Sequence, residues 1–126
     1  MSAALSQIGQ ISVNVHDLER AVGFYKEVLG LRLLYQFPPK LAFFDAGGVR
    51  LMLSLPEDPQ LDHPGSILYF KVGDIQGTWS ALREGGADLI RGPELVARMP
   101  DHELWMAFFK DPDGNTLALM SEVRGG

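Results

Sequence analysis

The chain repeats itself, and the repeat limits what it can fold into. Val15-His16-Asp17-Leu18 returns 57 residues later as Val72-Gly73-Asp74-Ile75. Asp45, Leu51 and Leu53 return 66 residues later as Asp111, Leu117 and Leu119. The two offsets differ by nine, which places a nine-residue insertion in the second copy, most naturally within residues 92–102. The 126 residues then make one domain of two modules, about 7–55 and 66–123. A linker of about 56–65, rich in proline and acid and without periodicity, joins them.

Each copy reads as strand–helix–strand–strand–strand. Ile11, Val13 and Val15 alternate with Gln10, Ser12 and Asn14, the period of a half-buried strand. Asp17 stands where a helix needs its N-cap. Leu18, Ala21, Val22, Tyr25, Val28 and Leu29 follow at helical spacing, and Gly30 ends the run. Strands are expected at 31–37, 41–45 and 49–55, with turns at Pro38-Pro39 and Ala46-Gly47-Gly48. The second copy predicts a strand at 67–72, and a helix capped by Asp74 and ended by Gly85-Gly86. Strands at 87–91, 103–110 and 116–122 complete it, the last two joined by the turn Asp111-Pro112-Asp113-Gly114-Asn115. The fold class is α+β: two tandem βαβββ modules whose strands form a curved mixed sheet with a ligand cleft.

Composition removes several function classes. There is no cysteine, so disulfide frameworks, thiolate metal sites and cysteine nucleophiles are excluded. A net charge of −5 with no Lys/Arg run argues against nucleic acid as a partner. The apolar stretches are far shorter than the ~20 residues of a membrane helix, so no membrane partner is expected. The first residues lack the basic start and apolar run of a signal peptide, making a cytoplasmic location the expectation.

Val15-His16-Asp17-Leu18-Glu19-Arg20-Ala21, Phe24-Tyr25 and Val28-Leu29-Gly30-Leu31 carry a family resemblance. Val72-Gly73-Asp74-Ile75, Gly85-Gly86-Ala87 and Phe109-Lys110-Asp111-Pro112-Asp113-Gly114-Asn115 carry it in the second copy. Over roughly residues 8–123 the chain resembles the vicinal-oxygen-chelate superfamily of glyoxalases, bleomycin-resistance proteins and extradiol dioxygenases. The resemblance implies paired βαβββ modules, a homodimer, and a ligand cleft under the sheet. It also implies metal-ligand positions: a His seven residues before each capping Asp, and a Glu in each module's last strand. Here those positions hold Gln10, Ile67, Met52 and Ala118. None suits a hard or borderline divalent ion, so no metal and no cofactor is expected, except at an atypical site.

Strand parity extends the cleft face from those four positions. It gives Gln10, Ser12, Asn14, Arg50, Met52 and Ser54 in module one. Module two contributes Ile67, Tyr69, Lys71, Thr116, Ala118 and Met120. The opposite parity is wholly apolar (Ile11, Val13, Leu51, Leu53, Phe70, Leu117 and Leu119 among others) and packs under the helices. Gln10, Asn14, Arg50, Met52, Tyr69 and Lys71 are therefore candidate ligand-binding residues.

Residues 95–105 concentrate Arg98, Asp101, His102, Glu103 and Trp105. If Phe109 pairs with Thr116, then Glu103, Trp105 and Ala107 share the cleft face. Arg98 would then be an anion clamp, Trp105 a stacking wall, and His102 and Glu103 the catalytic acid–base pair. The plainer reading is a hairpin loop with an internal ion pair and a core tryptophan. His16 is expected to be exposed, His63 lies in the linker, and Trp79 sits at core spacing with Leu82.

The leading functional expectation is a metal-independent superfamily member binding a small organic molecule. Its charge stays open, because the acidic net charge and the cations Arg50 and Lys71 point in opposite directions. The alternative is a glyoxalase-, isomerase- or dioxygenase-type enzyme acting through His102 and Glu103 or an atypical metal site. A regulatory dimer without catalysis is the third reading.

Overall fold

The computed structural model describes residues 2–124. Module one runs β1 (Gln10–Asn14), α1 (Leu18–Gly23), β2 (Arg32–Phe37), β3 (Leu41–Ala46) and β4 (Val49–Ser54). Module two runs β5 (Leu68–Lys71), α2 (Ile75–Glu84), β6 (Asp88–Arg98), β7 (Glu103–Lys110) and β8 (Thr116–Val123). Each module has its own four-stranded mixed sheet, ordered β1-β4-β3-β2 and β5-β8-β7-β6. In each, the first strand pairs parallel with the last, which the intervening helix makes possible. The chain divides into two compact units between His63 and Pro64.

Both helix starts follow from the same local chemistry. The Asp17 carboxylate accepts from the Arg20 amide at 3.1 Å, and the Asp74 carboxylate accepts from the Gly77 amide at 3.0 Å. The helix expected through Leu29 changes pitch part-way. Phe24–Val28 forms a π-helical turn in which the Leu29 amide donates to the Phe24 carbonyl at 3.0 Å. The wider turn lets two consecutive aromatics, Phe24 and Tyr25, both be buried. Tyr25 reaches Phe44 on β3, with ring centroids 6.1 Å apart. Gly30 then reverses the chain at φ +73°, a conformation that a side chain would oppose.

Most of the apolar parity set is buried, with Ile11 and Phe70 only half-buried. Val13, Val15, Leu51, Leu53 and Phe44 are buried in module one. Ala107, Phe109, Leu117 and Leu119 are buried in module two with Ile75, Trp79 and Leu82 of α2.

Three expectations need correction. First, the third strand of module two does not stop at residue 91. β6 is 11 residues long and takes up most of the inserted segment. Leu89 pairs with Phe109 and Arg98 with Glu103, so nine steps on β6 face six on β7. Three register shifts absorb the excess. β6 is the sheet edge, where Pro93 lacks no ladder partner it needs.

Second, Lys110 rather than Phe109 pairs with Thr116. The turn of residues 111–115 holds one residue more than its counterpart in module one. Phe108 is therefore the equivalent of Phe43, while Ala118 remains the equivalent of Met52. The one-residue difference moves every β7 side chain to the other face. Glu103, Trp105 and Ala107 lie opposite Val123, Ser121 and Leu119, on the helix side of the sheet.

Third, the linker is not featureless. Pro59–Leu61 forms a single 3-10 turn capped by Asp58. Ile67, expected in a strand, precedes β5 and is exposed.

Candidate functional site

In module one the sheet register builds a polar row beside an aromatic one. β1 and β4 run parallel with Gln10 opposite Arg50, Ser12 opposite Met52 and Asn14 opposite Ser54. β3 continues the face with Phe43 opposite Met52, and β2 with Tyr35 opposite Phe43 and Phe37 opposite Leu41. The result is one connected set of side chains on the face away from α1.

Its centre is Arg50. The Nε–H donates to Gln10 Oε1 at 2.9 Å, and Nη1 donates to the Tyr35 hydroxyl at 3.4 Å. The guanidinium carbon lies 5.4 Å from the Phe43 ring centroid, within the range of cation–π attraction. Gln10 uses its other end to approach Met52, Nε2 to Sδ at 3.7 Å. Tyr35, Phe37 and Phe43 form a trio with ring centroids 5.0–6.3 Å apart. Phe43 is buried beneath it, whereas Tyr35 and Phe37 are 45% and 58% exposed. Exposed aromatic area of this kind is normally given to an interaction. Sequence reasoning selected Gln10, Arg50 and Met52 and missed the three aromatics. The signal was available in the period-two spacing of Tyr35 and Phe37.

Asn14 has a different engagement. Its Nδ2 donates to the carbonyls of Leu61 and of His63, the latter at 3.3 Å. His16 Nε2 lies 3.0 Å from Asp62 Oδ1, and Lys40 binds Glu57, lowering the Glu57 pKa through that hydrogen bond and its charge. These contacts tie the linker to module one.

In module two, Tyr69 and Phe108 flank Ala118 on β8. Their rings meet edge to face at 6.0 Å and Ala118 is fully buried. Lys71 on the same face is 3.6 Å from Glu122. Arg98 and Trp105 belong to another set: Arg98 Nη1 donates to Glu103 Oε2 at 2.8 Å, and the Trp105 indole N–H donates to Glu103 Oε1 at 3.3 Å. Next to it, His102 Nδ1 is 2.8 Å from Asp101 Oδ1, and Arg124 donates to Asp101 Oδ2 at 3.1 Å. The hydrogen bonds from His102 and then Arg124 hold the Asp101 carboxyl below its ordinary pKa. The tight turn between β6 and β7, closed by the Met99 amide on the His102 carbonyl at 2.8 Å, presents both sets.

Residues 7–119 match the family described as the Glyoxalase/Bleomycin resistance protein/Dioxygenase superfamily. The chain belongs to this superfamily. It is similar to the metallothiol transferase FosB of Shouchella clausii, 29% identical over 87% of this chain and 76% of that protein. It is also similar to the lactoylglutathione lyase of Haemophilus influenzae, 30% identical over 86% of this chain and 87% of that one. A superfamily structure from Sphaerobacter thermophilus superposes with a TM-score of 0.78 at 23% identity, covering 94% of this chain and 98% of the other.

At the positions where the resemblance implies metal ligands, the side chains present do not suit a divalent ion. Gln10 has its oxygen on Arg50 and its nitrogen on Met52, and the guanidinium beside them would repel an incoming cation. Ala118 offers no donor, and the Tyr69 and Phe108 rings stand on either side of it. Among the described residues no group of three or more His, Asp or Glu side chains is arranged to hold a metal, and no helix is long and apolar enough to cross a membrane.

Proposed function

We propose that this superfamily member binds a small organic molecule on the module-one face built by Gln10, Arg50, Met52, Tyr35, Phe37 and Phe43, using no resident metal or other cofactor. The observation that carries the reading is Arg50: a permanent cation, fixed by Gln10 and Tyr35 and backed by Phe43, beside exposed aromatic rings. Apolar walls with a few positioned polar groups are the usual make-up of a small-molecule site. The Tyr69 and Lys71 face of module two is a second candidate contact, but Glu122 already pairs Lys71. Cytoplasmic location and a homodimer belong to the same reading. Light scattering would report the dimer as twice the 13.9 kDa chain.

A fragment library screened by two-dimensional NMR on the whole chain tests the site. Binders should shift the signals of Gln10, Tyr35, Phe43 and Arg50 first. A library whose hits all fall elsewhere, or that yields none, would remove the assignment.

A second reading, an enzyme of lyase or transferase type, draws on the names of the relatives and on one local observation. His102 is mostly buried, and Asp101, itself held by Arg124, sits on its Nδ1. A carboxylate there fixes the tautomer and leaves Nε2 as the exchanging nitrogen. Glu103 is held by Arg98 and Trp105. His102→Ala and Glu103→Gln separate the readings. Lost turnover with retained ligand affinity supports an enzyme, whereas ligand affinity unchanged in both variants, with no turnover by the unsubstituted chain, supports a binder that uses the module-one face.

A further inference from the structure

We infer that the ligand of the module-one face is a planar aromatic carboxylate, with the Arg50 guanidinium supplying the positive charge that the metal ion supplies elsewhere in the superfamily. This rests on the small-molecule reading of that face and goes beyond it by fixing the ligand's charge and shape.

The sequence left the charge undecided between Arg50 and Lys71 on one side and the acidic net charge on the other. The ion pairs separate these two cations. Lys71 is answered by Glu122 at 3.6 Å, Arg98 by Glu103 at 2.8 Å, Arg91 by Glu94 at 3.4 Å and Arg124 by Asp101 at 3.1 Å. Arg50 has no carboxylate within ion-pair distance among the described residues. Asp45 lies across the ladder from both Arg50 and Arg32, yet its carboxylate turns to the Gly48 amide at 3.0 Å. That corner of the sheet therefore carries two guanidiniums against one engaged carboxylate.

The geometry of Arg50 is as telling as its charge. Both of its side-chain hydrogen bonds go to neutral acceptors, Gln10 Oε1 on Nε and the Tyr35 hydroxyl on Nη1. They hold the guanidinium from two sides and leave Nη2 without a hydrogen-bond partner. Nη2 and Nη1 together make the end-on side of a guanidinium, the side that matches a carboxylate. A fixed fork loses little freedom on binding.

The shape follows from the rings. Tyr35 and Phe37 meet at 5.5 Å with planes 75° apart, and Tyr35 and Phe43 at 5.0 Å with planes 41° apart. An exposed L-shaped pair of rings next to a guanidinium offers one face to stack on and one edge to abut. A flat ring bearing a carboxylate fills both roles at once. A saturated ring would meet the same charge but not the same faces.

The test uses the whole chain and four matched probes: 2-naphthoate, 2-naphthamide, 2-naphthylmethylamine and decalin-2-carboxylate. Affinity is read by NMR titration and by calorimetry. The expected order is naphthoate first, decalin carboxylate at least about threefold weaker, and amide and amine at least about tenfold weaker. Arg50→Gln should weaken naphthoate about tenfold or more, and Arg50→Lys should recover only part of that. Arg83→Gln, which removes the same charge from the exposed surface of α2, should leave naphthoate affinity unchanged. Circular dichroism on each variant separates a lost site from a lost fold.

Equal or tighter binding of the amide or amine at the same signals would overturn the carboxylate class while leaving the small-molecule face standing. Equal loss in Arg83→Gln would reduce the effect to bulk charge and overturn it too. If none of the four shifts Arg50 or Tyr35, the inference fails. Hits from the broader library at those signals would then show that the face itself survives.

Discussion

Asp111 shows how much one residue can hold. It is 3% exposed, and its Oδ1 accepts from the amides of Asp113 at 2.9 Å and Asn115 at 2.8 Å. Oδ2 accepts from the Asn115 side-chain amide at 2.8 Å. The sequence reading of this segment as a turn agrees with that use of the carboxylate, which accepts from the turn's own donors. Asp111→Ala should cost about 3 kcal/mol, because part-buried donors lose a charged acceptor. Urea unfolding would measure it, and a cost below about 1 kcal/mol would show the turn holds without the carboxylate. His102 and Glu103, chosen from the residue types of a short window and an assumed register, stand in separate hydrogen-bonded sets, one through Asp101 to Arg124 and one to Arg98 and Trp105. Residue types in a short window told of chemistry but not of which partner each side chain would take.

At the scale of elements, the stretch between the modules proves to be part of module one's surface. Asn14, placed by parity among the ligand contacts, directs its amide to the Leu61 and His63 carbonyls, and His16 and Lys40 add Asp62 and Glu57. Asn14→Ala should therefore loosen the linker and leave the sheet intact. Limited proteolysis should cut within residues 56–63 severalfold faster, while global stability falls by no more than about 1 kcal/mol. Unchanged cleavage would mean that the other contacts suffice. β6 carries the clearest element-scale lesson. Leu89 and Leu95 stand opposite Phe109 and Trp105 on the helix side, while a register shift after Leu95 sets Ala97 opposite Leu104 on the other face, a pattern that simple alternation cannot reveal. The π-helical turn after α1 was equally hidden; it lies where Tyr25 packs against Phe44 on another strand.

At the scale of the whole molecule, the reading without a resident metal can be tested directly. Elemental analysis of untagged, freshly purified protein should find less than about a tenth of an equivalent of nickel, zinc, iron, manganese or copper per chain, since too few suitable ligands converge. Near one equivalent would mean that the ligands lie elsewhere than at Gln10, Ile67, Met52 and Ala118. Adding nickel or zinc should likewise leave the melting temperature in place, because only binding to the folded state raises it.

What the sequence determined by itself was the duplicated architecture, the two capped helices and the division of β1, β4, β5 and β8 into an apolar face and a mixed one. Caps, periods and repeats are short-range patterns, so a single chain carries them openly. The tertiary structure decided the pairing. It set which residue of β7 meets Thr116, moving Glu103 and Trp105 to the helix side, and which rings stand beside Arg50. It also showed that Lys71 is answered by a carboxylate while Arg50 is not. Register depends on turn lengths and bulges summed over distant segments, and one residue of difference reverses a whole strand's side chains.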